Sequence, residues 1–216
     1  MSTDLVDKQK DFLHFLINGD HAMCSSLAKD FLKENTLSNL YENIFKKSLY
    51  DVGELWELNK VSVATEHLSS AIIEAIINEF YANIISKNKI NKTVIVACVE
   101  YELHQIGIKM ISDIFEINGW NSFFLGANTP TKELIAFVKT MKVDMLAISM
   151  SIYFHLPFLE NMIQQIRKEF PALSILVGGQ AFVHGGQSVL RKYENVIYQP
   201  DLKSTESFIK KINQNG

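Results

Sequence analysis

Residues 93–107 read TVIVACVEYELHQIG, and the reading of this stretch decides the fold. Its first six residues, Thr93–Cys98, form a short apolar run rich in β-branched side chains, the pattern of a strand covered on both faces. Glu100, Glu102, His104 and Gly107 follow at once, and an amphipathic helical pattern takes over near residues 105–118. A strand that passes through a polar loop into a helix opens a βα unit.

The same grammar recurs down the chain. Strand-like runs at Ser122–Leu125, Met145–Ser149, Ser174–Val177 and Asn195–Tyr198 alternate with helical stretches near 131–141, 156–169, 185–192 and 203–213. Five such repeats predict an α/β domain, a five-stranded doubly wound parallel sheet of flavodoxin-like topology, over residues 89–216.

Upstream the grammar differs. Residues 1–88 hold no proline and only Gly19 and Gly53, whereas prolines 130, 157, 171 and 200 all lie beyond. Phe12, Phe15 and Leu16 share one helical face, Leu27, Phe31 and Leu32 another, and Leu40, Ile44, Phe45 and Leu49 continue the rhythm. The longest pattern runs from Ser62 to Ser86 through Ala64, Leu68, Ala71, Ile72, Ala75, Ile76 and Phe80. Asp20 and Ser38 are expected helix starts and Asn18-Gly19 a stop, giving a four-helix bundle over residues 1–88 that caps the sheet domain.

Composition narrows the function classes. The 216 residues are 47% hydrophobic and 21% charged with a net charge of -3, and only Arg167 and Arg191 among the 21 basic residues are arginines. The first 88 residues carry 8 basic against 13 acidic side chains. Nucleic-acid binding rests on clustered positive charge, so direct DNA contact is not expected. Cys24 and Cys98 suit a reducing cytoplasm better than a disulfide scaffold, and no apolar run is long enough for a membrane span.

The residues least like packing residues collect just behind the strands: Glu100, Glu102, His104 and Gly107, then Gly126, Asn128 and Pro130, then Ser149 and Ser151, then Gly178-Gly179. In an open parallel sheet the carboxyl ends of the strands line the ligand crevice, so these loops converge. A dinucleotide is not indicated, because a Gly-x-Gly-x-x-Gly turn is missing after the first strand. A histidine in the first loop and a glycine pair in the fourth suit a flat, metal-bearing ligand with an inserted tail.

ELHQIG (102–107) resembles the Asp-x-His-x-x-Gly motif of cobalamin-binding domains, with Glu102 in place of the aspartate. Ser149-Met150-Ser151 resembles that family's Ser-x-(Ser/Thr/Leu) element, and Gly178-Gly179 its glycine pair. LWELNKVSVATEH (55–67) resembles the Trp-x9-Glu-His signature in the helical cap of CarH-type light-sensing cobalamin regulators. The likeness covers roughly residues 40–200. It implies that His104 displaces the corrinoid's own base and ligates cobalt while Glu102 accepts the other ring N–H. Ser149, with Ser151 beside it, would bond the displaced base, Gly178 and Gly179 would admit the nucleotide tail, and Gly107 would allow close packing at the next helix. Trp56, Glu66 and His67 would face the upper ligand. Taken singly, each has a plainer reading: a capping histidine, a strand-end serine, a glycine turn, a tryptophan in the bundle core, a solvated Glu-His pair.

The fold leaves two functions open. One is a sensor or regulatory module holding adenosylcobalamin and answering to light, as the regulators it resembles do. The other is a methyl-carrying corrinoid protein serving separate methyltransferases, with methylcobalamin as its form. A broad aromatic and a carboxylate suit an adenosyl group better than a methyl, which favours the first. Two features depart from the regulators. Glu57 stands where they carry the histidine that takes the upper cobalt position after photolysis, and residues 1–35 read as bundle helices, not as a DNA-binding domain. The expected partners are therefore the corrinoid and a second protein, regulator or methyltransferase, with homo-oligomers left open. No catalytic apparatus beyond the cofactor is legible, which argues against an enzyme.

Overall fold

The computed structural model describes residues 3–84 and 88–214. The chain divides into two compact units, residues 1–83 and 84–216, and each is described by itself.

The first unit is helical. Helix α1 (Thr3–Ile17) ends at Gly19, and the Asp20 carboxylate accepts from the Met23 N–H at 3.0 Å to start α2 (His21–Leu32). The next helix does not start at Ser38 as expected. Thr36 lies two residues earlier and its hydroxyl accepts from the Asn39 N–H, so it is the cap of α3 (Leu37–Leu40). That helix runs through a π turn (Tyr41–Phe45) into α4 (Lys46–Glu57). Helix α5 (Val63–Ile84) is started by the Ser62 hydroxyl, which accepts from the Thr65 N–H at 3.1 Å. The end of the pattern expected to reach Ser86 lies outside the described residues.

The expected faces are buried in part on two helices. On α2 the expected Phe31 is buried with Cys24 and Ala28, while Leu27 and Leu32 are only half-buried. On α5 the expected Ile72, Ile76 and Phe80 are buried with Ile73 and Ile77, while Ala64, Leu68 and Ala71 are exposed. Helix α5 is apolar on more than one face, and the isoleucines remove more apolar area from water than alanines do. Periodicity alone could not choose between the stripes.

The second unit is a parallel sheet of β1 (Thr93–Cys98), β2 (Asn121–Gly126), β3 (Met145–Ser149), β4 (Ser174–Gly178) and β5 (Val196–Tyr198). Their order is β2-β1-β3-β4-β5, so the chain switches direction across the sheet between β1 and β3. The intervening helices are α6 (Ile106–Ile117), α7 (Thr131–Val138), α8 (Leu156–Glu169), the single turn α9 (Gln187–Leu190) and α10 (Leu202–Gln214). Two short 3-10 turns, Tyr153–His155 and Gln180–His184, follow β3 and β4 and were not expected. One core joins Ile95, Ala97, Leu146, Ile148, Ile175 and Val177 of the strands to Leu134, Leu159, Met162, Ile163 and Ile166 of α7 and α8. Helix α10 packs with α6, and the Trp120 indole N–H donates to Asn213 there at 2.9 Å. The register pairs Cys98 with Ser149 and Ser149 with Gly178, so three strands end side by side.

Candidate corrinoid site at the strand ends

Behind the aligned ends of β1, β3 and β4 the backbone ladder runs on for one more step. Val99 N–H donates to Ser149 O and Met150 N–H to Gly178 O, each at 3.0 Å. This brings the loop after β3 against the loop after β1, and Glu102 fills the junction.

Glu102 has 0% exposure, and both its oxygens are taken up. Oε1 accepts the His104 backbone N–H at 3.0 Å and faces His104 Nδ1 at 2.5 Å. Oε2 accepts the backbone N–H of Ser151 at 2.8 Å and of Ile152 at 2.9 Å, and faces His155 Nδ1 at 3.2 Å. Burial pushes the Glu102 carboxyl up, but the bonds from His104, Ile152 and Ser151 outweigh it and hold it at about 2. It is therefore a carboxylate at neutral pH.

An ionised carboxylate only accepts hydrogen bonds, so the His104 ring must carry its proton on Nδ1. A neutral His104 then has its lone pair on Nε2, and 61% of its side chain is exposed. A buried carboxylate that fixes the tautomer of an exposed imidazole is the arrangement metal-ligating histidines commonly use. The donor set thus fits a cobalt-bearing group. Cys98 lies under the same loop with no exposure. Burial, reinforced by the charge of Glu102, pushes its thiol up to about 12, and it donates to His104 O at 3.5 Å.

The loop is held from the side as well. Asn128, behind β2, donates its N–H to Glu102 O at 2.7 Å and accepts from the Tyr101 N–H at 2.9 Å. Tyr101 has φ +70°, an uncommon conformation for a side chain of its size.

The glycines divide. Gly179 has φ +117°, and a Cβ there would lie 2.2 Å from Met150 O; at Gly178 a Cβ would lie 2.9 Å from Gln199 O. Both are required by the protein's own backbone. At Gly107 a Cβ would meet no described protein atom within 4 Å, so the close packing expected there is not found within the chain. Ser149 is buried at the end of β3, and Ser151 contributes its backbone N–H to Glu102.

Trp56, Glu66 and His67 flank one link of the helical unit. Trp56 is in the last turn of α4 with 46% exposure, which rules out the plainer reading of it as a bundle-core anchor. Glu66 is in the first turn of α5, its Oε2 2.7 Å from His67 Nδ1 and its Oε1 accepting from Ser70 at 3.1 Å.

The site residue that sequence reasoning passed over is His155. It lies on a ligand-side loop, but no motif singled it out. The available signal was strand order, since a β1–β3 pairing places the residues behind β3 next to those behind β1.

An anchored imidazole at the switch point of a flavodoxin-like sheet, with a separate helical unit upstream, defines the class of corrinoid-binding domains. A B12 binding domain model matches residues 92–199, and a second model with that description matches residues 8–80. The chain belongs to the B12-binding domain family, and it is a cobalamin-binding protein.

Over 143 residues it is 25% identical to the HTH-type transcriptional repressor CarH of Myxococcus xanthus, covering 65% of this chain and 47% of that protein. The chain thus spans about half the length of that curated relative. Its structure resembles the monomethylamine corrinoid protein of Methanosarcina barkeri, with TM-score 0.79 and 13% identity, covering 95% of this chain and 98% of that one. It also resembles a chain of the methanol:cobalamin methyltransferase complex of Methanosarcina barkeri, with TM-score 0.53 and 15% identity, covering 100% of this chain and 82% of that one. At these identities the structural matches bear on the fold. Among the described residues no helix is long and apolar enough to cross a membrane.

Proposed function

We propose that this chain is a sensor or regulatory module that holds adenosylcobalamin base-off, with His104 Nε2 as the lower ligand of cobalt. The observation that carries this reading is the Glu102 carboxylate, buried and bonded to His104 Nδ1, which prepares Nε2 for a metal. When bound, the cofactor supplies a cobalt–carbon bond that light or a partner can break. The chain's own part is to hold and to shield. Glu102 keeps the ring in one tautomer, Ser149 and Ser151 would bond the displaced base, and Gly178-Gly179 let the backbone behind β4 close on Met150 and Gln199 beside the path of the tail. In the helical unit, Trp56, Glu66 and His67 form the cap that would meet the upper ligand, and the division into cap (1–88) and cobalamin domain (89–216) belongs to this reading.

Purified protein titrated with adenosyl-, methyl- and aquacobalamin, in the dark and under illumination, tests the proposal by absorption. In the cob(II)alamin form, nitrogen hyperfine coupling from a protein imidazole is expected in the EPR spectrum and should vanish in His104→Ala. A wild-type protein whose spectrum changes with no corrinoid would end the reading.

A second reading, a methyl-carrying corrinoid protein that serves a separate methyltransferase, is favoured by one residue. Glu57 replaces the histidine that the light-sensing regulators use at the upper face. Equal affinity for adenosyl- and methylcobalamin would decide for it. Neither reading has the chain contact DNA by itself, and salt-sensitive retardation of duplex DNA would contradict both.

A further inference from the structure

Among the described glycines only Gly53, Gly107 and Gly178 have an ordinary φ, and at Gly178 the Gln199 carbonyl explains the missing side chain. At Gly53 and Gly107 neither backbone conformation nor packing does, because a Cβ on either would meet no described atom of the surrounding protein within 4 Å. Gly53 is the harder of the two to explain. It lies well inside α4, where glycine is a poorer helix former than alanine, and an alanine methyl would have room there. The chain thus gives up helix stability at Gly53 for nothing that its own packing requires.

Both glycines stand three residues from a side chain read as facing the corrinoid, Gly107 after His104 and Gly53 before Trp56. Residues three and four apart on a helix are neighbours on one face, so Gly53 shares a face of α4 with Leu49 and Trp56. Leu49 is half-buried and Trp56 is 46% exposed. A bare backbone between an aliphatic side chain and an exposed indole suits a flat group that lies close against the helix.

We infer that Gly53 is a specificity-determining residue for the upper ligand, leaving α4 without a side chain where the purine of an adenosyl group lies beside the Trp56 indole. The inference rests on the reading of Trp56 as part of the cap over cobalt. A purine stacked on an indole must come near the backbone that carries it, and a Cβ one turn back would hold it off. A methyl ligand is too small to need that space, so it neither gains from the glycine nor suffers when a side chain is added.

Thermal unfolding of the corrinoid-free protein, and absorption titrations with adenosyl- and methylcobalamin, test this. Gly53→Ala should raise the Tm of the corrinoid-free protein by about 1–4 °C, since the added methyl meets nothing in the chain. The same substitution should weaken adenosylcobalamin binding about tenfold, and Gly53→Leu about a hundredfold, as overfilling a packed site does. Methylcobalamin affinity should stay within about threefold of wild type in both variants. A Gly53→Leu protein that still binds methylcobalamin is folded, so its loss of adenosylcobalamin reports on the site. A lower Tm in Gly53→Ala would overturn the inference by giving the glycine to the chain's own packing, and so would equal losses for the two corrinoids. Wild-type protein that binds both forms equally would end the adenosylcobalamin reading and the inference together, whereas a wild-type preference that survives in both variants would end the inference alone.

Discussion

The chain uses a glutamate–histidine pair twice, and the two are built differently. Glu102–His104 in the sheet unit has a carboxylate with no exposure, accepting from three backbone N–H groups and facing two imidazoles. Glu66–His67 in the helical unit has its histidine side chain 74% exposed and its glutamate 28% exposed, with Ser70 as a further donor. Water competes for the second pair and not for the first. Taking a carboxylate out of water requires that every lone pair find a donor, and once found those donors hold the imidazole still. An exposed pair keeps the same chemistry without the fixed geometry. The first is suited to holding an imidazole in one orientation, the second to adapting to whatever reaches it.

Stability should break the comparison most visibly. Glu102→Ala leaves the part-buried N–H groups of His104, Ser151 and Ile152 without their acceptor, so a loss of about 1–3 kcal/mol is expected in urea unfolding. Glu66→Ala should cost less than about 1 kcal/mol. Equal losses would mean that the burial of Glu102 carries no energetic weight.

Acid should separate the pairs next. The Glu102 carboxyl is held at about 2 against an ordinary 4.5. A depressed carboxyl adds stability that is complete above pH 4.5 and is lost as pH falls through about 2, in all roughly 3 kcal/mol. Urea midpoints of wild type should fall over that window, and those of Glu102→Gln should fall less, the two converging near pH 2. Parallel acid profiles would refute the assignment.

Corrinoid affinity sharpens the contrast further. His104→Ala should weaken binding about tenfold or more. His67→Ala should change affinity less than about threefold. A larger effect at His67 would move the anchoring role to the helical unit. At Trp56 the effect is expected on selectivity. Stacking on a base is worth about 1–3 kcal/mol, so Trp56→Ala should narrow the preference for adenosyl- over methylcobalamin by about tenfold. An unchanged preference would remove Trp56 from the upper face.

Much of this was open to sequence reading, because it depends on local order. A β-branched run followed by a polar loop and an amphipathic helix declares its βα unit without reference to anything distant, and all five strands lie within two residues of the expected ends. The histidine loop was legible for the same reason, since Glu102, His104 and Gly107 are neighbours in sequence. Reading failed where a residue's environment depends on what packs beside it. On helix α5 the reading found Ile72, Ile76 and Phe80, but only packing added Ile73 and Ile77 and left Ala64, Leu68 and Ala71 exposed.

What the tertiary structure alone decided is what Glu102 touches. Its second oxygen meets Ser151, Ile152 and His155, 49 to 53 residues away, because β3 pairs beside β1 with Cys98 opposite Ser149. Hydrogen bonds across that distance follow from strand register and loop conformation, and no periodicity in the chain encodes either. The sequence by itself determined that a histidine and an acid would stand at the mouth of the sheet. The packing of β3 against β1 decided that the acid would be buried and ionised, and shared with a second histidine, because only that contact supplies enough donors to keep a carboxylate out of water.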